Sequence, residues 1–261
     1  MKKYKLTNET IVHLGFTLYR IEALMDFSDV KTGDKGGFVQ SENNLSQLGN
    51  AWVYGNAKVY GNAKVYDNAE VYCDAEVYNN AEVCGDAKVR GYAEVYCDAK
   101  VYGNAVVCGD AKVRGYASVC GNASVYGNAD VFDYAKVYNN ASVCGNASVF
   151  CDAEVFDYAK VYNNAKVCGN ASVSCDAKVY GKAEVRGDAK VYKNSDYIVF
   201  KNWWSSGRYF TWTRSNKMWK VGCFYGNGEE LIKKAYADSE ESGREYERVV
   251  KYVESILADE F

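Results

Sequence analysis

From Ala51 to Tyr192 the chain alternates small or β-branched residues with outward-facing ones in a unit of six. Ala51-Trp52-Val53-Tyr54-Gly55-Asn56 is followed by Ala57-Lys58-Val59-Tyr60-Gly61-Asn62, and the pattern continues without insertion or deletion to Ala189-Lys190-Val191-Tyr192. All twenty-four hexads have Ala first and Val third. A period of two is that of a half-buried strand, so Ala and Val point inward and the second and fourth positions outward. The fifth and sixth positions are mostly Gly-Asn, Gly-Asp, Asn-Asn or Cys-Asp, types that turn the chain at little cost. Each hexad is therefore one short strand and one corner.

A fixed short period marks a solenoid. Three hexads closing a triangle give an 18-residue coil, so the array predicts about eight triangular coils. At about 4.8 Å per rung this is a prism roughly 38 Å long. Ala beside each corner and Val at mid-face suit a narrow interior. Burying each Val contributes roughly 1.5–3 kcal/mol before chain entropy is subtracted. The second-position column Lys64, Glu82, Lys100, Ser118, Lys136, Glu154, Ser172, Lys190 sets no like charges side by side, as cross-strand pairing prefers. A second column has one like pair, Glu76 over Glu94.

The pattern divides the chain into 1–50, 51–194 and 195–261. Residues 1–50 form an N-terminal β cap, needed because an open solenoid end exposes core and unpaired strand groups. Thr10–Leu14 and Thr17–Ile21 read as two strands of a hairpin about Gly15-Phe16. Residues 195–261 read as a small α+β module. Tyr197–Phe200 is a strand, and Arg208–Thr213 pairs with Met218–Phe224 across Ser215-Asn216. Helices follow over Glu229–Tyr236 and Ser242–Leu257, with Leu231, Ile232, Val249, Val250, Val253 and Ile256 as their apolar face. Trp203, Trp204, Trp212 and Trp219 gather here, either as the core of this module or as a docking surface.

Net charge is -3 with both signs interspersed, so the chain carries neither a basic footprint for DNA nor an acidic block. No apolar run approaches membrane-spanning length, and Met1-Lys2-Lys3-Tyr4 is followed by polar residues rather than a signal-peptide core. A cytoplasmic location is the expectation. The ten Cys show no C-x-x-C, and in the 18-residue register no two lie directly above each other, which points to free thiols rather than metal or redox work.

The V-x-G-N-A-x unit resembles the hexapeptide motif of left-handed β-helix proteins, a resemblance that covers just over half the chain. It implies an all-β, left-handed parallel β-helix; spacing alone does not give handedness. The whole chain also resembles a group of uncharacterised bacterial and phage-borne hexapeptide-repeat proteins. That likeness is carried by Leu18-Tyr19-Arg20-Ile21-Glu22-Ala23-Leu24, by Gly36-Gly37-Phe38-Val39 and by Trp219-Lys220-Val221-Gly222-Cys223-Phe224-Tyr225-Gly226.

Hexapeptide solenoids are familiar as acyltransferases with a coil histidine and loops that interrupt the repeat. Here the one histidine, His13, lies in the N-terminal cap with no Asp or Glu beside it in sequence, and no loop interrupts the array. No GxSxG, phosphate-cradling Gly loop or zinc spacing occurs. Asp26, Asp29 and Asp34 lack calcium-loop spacing, and an array without Thr does not fit ice binding. The reading is non-enzymatic, with no cofactor or metal, and the acyltransferase is the enzyme alternative.

The outward fourth position is Tyr or Phe far more often than polar. One column reads Tyr60, Tyr78, Tyr96, Arg114, Phe132, Phe150, Cys168, Arg186, and contiguous exposed apolar surface marks an interface. The Asn-type corner slot is taken by Tyr at Tyr92, Tyr116, Tyr134 and Tyr158, a bulky choice if that slot has positive φ. Arg114, Tyr116, Phe132, Tyr134 and Phe150 converge in this register and form the candidate binding patch. Such a surface suits self-association, a protein partner, or a nucleotide-like ligand stacked on Tyr and Arg. Together with the phage resemblance, it also admits antagonism of a host-defence protein or signal.

Overall fold

In the computed structural model, which describes residues 2–258, the hexads form a parallel β-solenoid. Strands pair in register at a spacing of 18 residues, Val59 beside Val77 and Val95 beside Val113. Each side of the coil is one sheet. The hairpin face runs from Lys58–Val59 to Glu184–Val185, the Trp52 face from Trp52–Val53 to Lys178–Val179, and the Lys64 face from Lys64–Val65 to Lys190–Val191. Every first-position Ala and third-position Val of the hexads is buried. Because each sits on its own kind, the interior keeps one cross-section along the whole prism.

The turn count exceeds the expected eight. Strand β3 (Lys35–Val39) pairs in parallel with Lys58–Val59, and Leu45 bridges Val65. These residues supply two sides of a further turn, giving about nine. The hexad pattern hides this turn because Leu45 stands opposite Val65, Phe38 opposite the outward Lys58 and Gly37 where the repeat has Ala57, leaving Val39 alone in pattern. Gly36 and Gly37 bring β3 close enough to dock: a Cβ there would collide with Ile21 and with the backbone oxygens of Val53 and Ala57.

Corner geometry corrects a second expectation. Positive φ falls on the fifth position of the hexad, as at Gly61, Asp67, Cys73 and Asn79, with φ of 68°, 60°, 65° and 60°. The sixth position takes ordinary backbone angles, so a bulky residue there breaks no backbone rule. It interrupts instead a side-chain ladder, in which Asn62 Nδ2 donates to Asn80 Oδ1 and Asn80 Nδ2 to Asp98 Oδ1, each at 3.1 Å.

A solenoid has a carbonyl end and an N–H end, and each is closed on all three faces. At the first hexads, Ala51 O accepts from Lys3 Nζ at 2.8 Å, Ala57 O from Phe38 N at 2.9 Å, and Ala63 O from Asn44 Nδ2 at 2.9 Å. At the last, Lys178 N donates to Asn194 Oδ1 at 2.9 Å, Glu184 N to Thr211 Oγ1 at 2.9 Å, and Lys190 N to Ser215 Oγ at 2.6 Å. The ends are thereby removed as templates for further strand pairing.

Before β3, strands β1 (Tyr4–His13) and β2 (Phe16–Ala23) form the expected antiparallel hairpin and extend the hairpin face to eleven strands. After the array, Tyr197–Lys201, Tyr209–Thr213, Met218–Val221 and Phe224–Gly226 make an antiparallel sheet, the last strand being one that sequence reading missed. Helices α1 (Gly228–Asp238) and α2 (Glu240–Ala258) cover it. Asn227 caps α1: its side chain accepts from Glu230 N at 2.9 Å, and Glu230 Oε2 accepts from Asn227 N at 3.0 Å. Trp212 and Trp219 lie in the core with Phe210, Leu231, Tyr246, Val250 and Val253, whereas Trp203 is 77% exposed. Tyr225 seats the module on the last coil, its hydroxyl donating to Arg186 O at 3.0 Å over Gly187, where a Cβ would block it.

Candidate functional site

Arg114, Phe132 and Phe150 follow in-register valines on three consecutive coils of the hairpin face, and Tyr116 and Tyr134 flank the same corner. The Arg114 guanidinium lies 4.1 Å from the Phe132 ring centroid. Two bonds donated to Asp130 hold it there, Nε to Oδ1 at 3.2 Å and Nη2 to Oδ2 at 2.8 Å. That fork raises the Arg114 pKa above its ordinary value. Phe132 and Phe150 stack at 4.8 Å, and Tyr116 and Tyr134 at 5.0 Å.

The exposed apolar surface expected at the Phe pair is not what the fold presents. Phe132 and Phe150 are half-buried, because the rings cover each other and Arg114 covers Phe132. Stacking also recurs on the other faces, Tyr138 on Phe156 at 4.9 Å and Tyr162 on Tyr180 at 5.4 Å. A parallel sheet sets residues about 4.8 Å apart along each column, so like rings stack wherever they follow one another. Stacked rings on a face are thus architecture.

The middle corner differs. Above and below it the sixth position forms the Asn and Asp ladder, which resumes where Asn170 donates to Asp188 at 3.0 Å. Between, Tyr116 and Tyr134 replace it with two stacked phenols that are 58% and 57% exposed. Tyr92 and Tyr158 occupy the same slot on other corners and are exposed, but no ring in register stacks on either.

The two caps decide which part of the aromatic column is open. At one end the tip of β1–β2 sets His13 and Phe16 against Tyr60, at 5.5 and 5.4 Å between ring centroids, and leaves Tyr60 only 2% exposed. At the other end Tyr225 lies 5.9 Å from the Arg186 guanidinium. Cys168 is buried, and burial pushes its thiol up to about 11. The middle coils remain uncovered.

His13 acquires from the fold the carboxylate its sequence neighbours lack. Its Nε2 pairs with Glu76 Oε2 at 3.0 Å, and Glu76 also accepts from Lys58 Nζ and Tyr60 Oη, each at 3.0 Å. Burial pulls the Glu76 carboxyl upward, but the bonds from Lys58, His13 and Tyr60 outweigh it and hold its pKa below the ordinary value. Glu94, the like-charged register neighbour, takes its cation from the opposite side, pairing with Lys112 at 2.8 Å, and accepts from Tyr78 Oη at 2.8 Å as Glu76 does from Tyr60. The charges in the polar loop are used internally: Asp26 accepts from Thr32, Asp34 from the Lys31 amide and Asp29 from Tyr54. All ten cysteines are free thiols, and no group of metal-ligating side chains occurs among the described residues.

Sequence reading passed over Lys182. It is the one basic residue in the sixth slot of the array, and that break in the ladder was the available signal. No described helix is long and apolar enough to cross a membrane. No protein-family model matches the chain, and comparison with curated proteins finds no match.

Proposed function

We propose that this chain is a non-catalytic binding and assembly scaffold whose contact surface is the Tyr116–Tyr134 corner, with Arg114, Phe132 and Phe150 beside it. The observation that carries the reading is the replacement of a hydrogen-bonded ladder by two stacked, exposed phenols at the stretch that neither cap covers. Aromatic rings held rigidly by one another lose little freedom on binding, and Tyr and Arg are the residue types that anchor protein interfaces. A protein partner fits this surface, with a second copy of the chain as the simplest case. A narrower form makes the partner a host-defence component or its nucleotide-type signal in the cytoplasm; it rests on the resemblance to phage-borne hexapeptide-repeat proteins.

The test is the double variant Tyr116→Asn, Tyr134→Asn, which restores the ladder residue on both coils. Native mass spectrometry and sedimentation should show the complex or oligomer of the natural chain lost in the variant, with the circular dichroism spectrum unchanged. A variant that associates as the natural chain does would overturn the assignment of this corner.

A further inference from the structure

Lys182 stands on the last coil at the corner between the Trp52 and hairpin faces, in the slot that would extend the ladder from Asn164. Two adjoining cavities share Lys182 and Tyr209 in their walls. One, of about 530 Å³, lies between the hairpin face and the loop through Ser206 and Gly207, and is lined by Lys166, Lys182 and Arg208. The other, of about 400 Å³, is walled by Tyr180, Tyr197 and Tyr209 with Ile198 and Val199. Volumes of roughly 300–1,000 Å³ are those of small-molecule sites.

The wall of the first cavity carries more positive than negative charge. Lys166, Lys182 and Arg208 have no carboxylate within 4.0 Å among the described residues, and the one acid in the wall, Glu184, is already paired with Lys220 Nζ at 3.4 Å. Three cations converging on one concavity repel one another and raise the local concentration of anions. The Lys182 ammonium lies 5.0 Å from the Tyr209 ring centroid, so one side chain belongs to both the cationic and the aromatic compartment. The Arg208 side chain lies over Gly222, with Nη1 at 3.4 Å from the position of a Cβ.

We propose that the two cavities form one groove for a small phosphate-bearing molecule with a planar ring, a mononucleotide in its simplest form. The phosphate is held by Lys166, Lys182 and Arg208, the last offering a planar fork to its oxygens. The ring rests against Tyr180 and Tyr209. The groove is separate from the Tyr116–Tyr134 corner and rests on different residues, so either assignment stands if the other fails.

Calorimetric titration of the full chain with adenosine monophosphate tests this, with adenosine and inorganic phosphate as its two halves. The nucleotide should bind at least about tenfold more tightly than either half, and more weakly as salt rises. Lys182→Asn restores the ladder residue and Arg208→Ala trims an exposed side chain; each should weaken binding by about tenfold with the fold intact. The Tyr116→Asn, Tyr134→Asn variant should bind as the natural chain does. Three results overturn the proposal: no binding of adenosine, guanosine or uridine monophosphate; equal binding by the natural chain and both groove variants; or phosphate alone binding as tightly as the nucleotide, which would leave the aromatic compartment without a role.

Discussion

His13 Nε2 lies 3.0 Å from Glu76 Oε2 across 63 residues of chain, and this contact fastens the tip of the N-terminal hairpin over the aromatic column. The solitary histidine therefore acts as a clasp. Replacing His13 by Ala removes one hydrogen bond to a charged group, worth about 1.5–3 kcal/mol. Amide exchange at Ile11 and Leu18 should accelerate, while protection in the middle coils stays as it was. Unchanged exchange at those two amides would show that the hairpin is held by its apolar contacts alone.

Acid should act on the same clasp. Glu76 has a folded pKa below its ordinary 4.5, so the unfolded chain takes up a proton there first as pH falls. Its contribution is complete above about 4.5 and is lost below that value. Exchange at the hairpin tip should rise on acidification before the coils open, and this early phase should be missing from His13→Ala.

Alkali acts through the tyrosines. Burial, followed by the carboxylates Glu76 and Glu94, raises the pKa of Tyr60 and Tyr78; burial and then Glu154 push Tyr138 up to about 12. An unfolded tyrosine loses its proton near 10.0, so above that pH the unfolded state binds fewer protons and stability declines. The contribution of Tyr138 is complete below pH 10.0 and is lost as pH climbs toward about 12, and those of Tyr60 and Tyr78 are lost at still higher pH. The last part of the phenolate absorbance and the loss of circular dichroism should therefore rise together. Ionisation of all tyrosines near 10 in a still-folded chain would contradict the burial of these rings.

The side chains that close the N–H end should matter unequally. Thr211→Val orphans the partly buried Glu184 N–H and should cost about 1–3 kcal/mol. Ser215→Ala exposes the Lys190 N–H to water and should cost less than about 1 kcal/mol. Denaturant unfolding followed by Trp fluorescence gives both values; the reverse order would mean that water already reaches the Glu184 amide.

Arg114 and Phe132 should be coupled. A double-mutant cycle with Arg114→Ala and Phe132→Ala should return about 0.5–1 kcal/mol for the guanidinium over the ring. A coupling of zero would place the value of Arg114 entirely in its bonds to Asp130.

The repeat, its register and its core follow from the order of residues alone. A strict Ala and Val period leaves only one way to bury every hexad, and the 18-residue pairing of Val59 with Val77 follows from it. The same order stacks Tyr116 on Tyr134, because identical slots one coil apart must adjoin. Contacts between elements remote in the chain come from the way those elements fold back on the prism. That folding put Glu76 beside His13 and covered Tyr60 with the hairpin. Positive φ falls on the fifth position rather than the sixth, a choice set by how the corner closes. The extra turn at Val39 and Leu45 and the groove at Lys182 also depend on the fold, since both form where irregular chain meets the prism. A repeat specifies its own neighbours through periodicity; contacts with non-repeating segments depend on where those segments fold back, and no period records that.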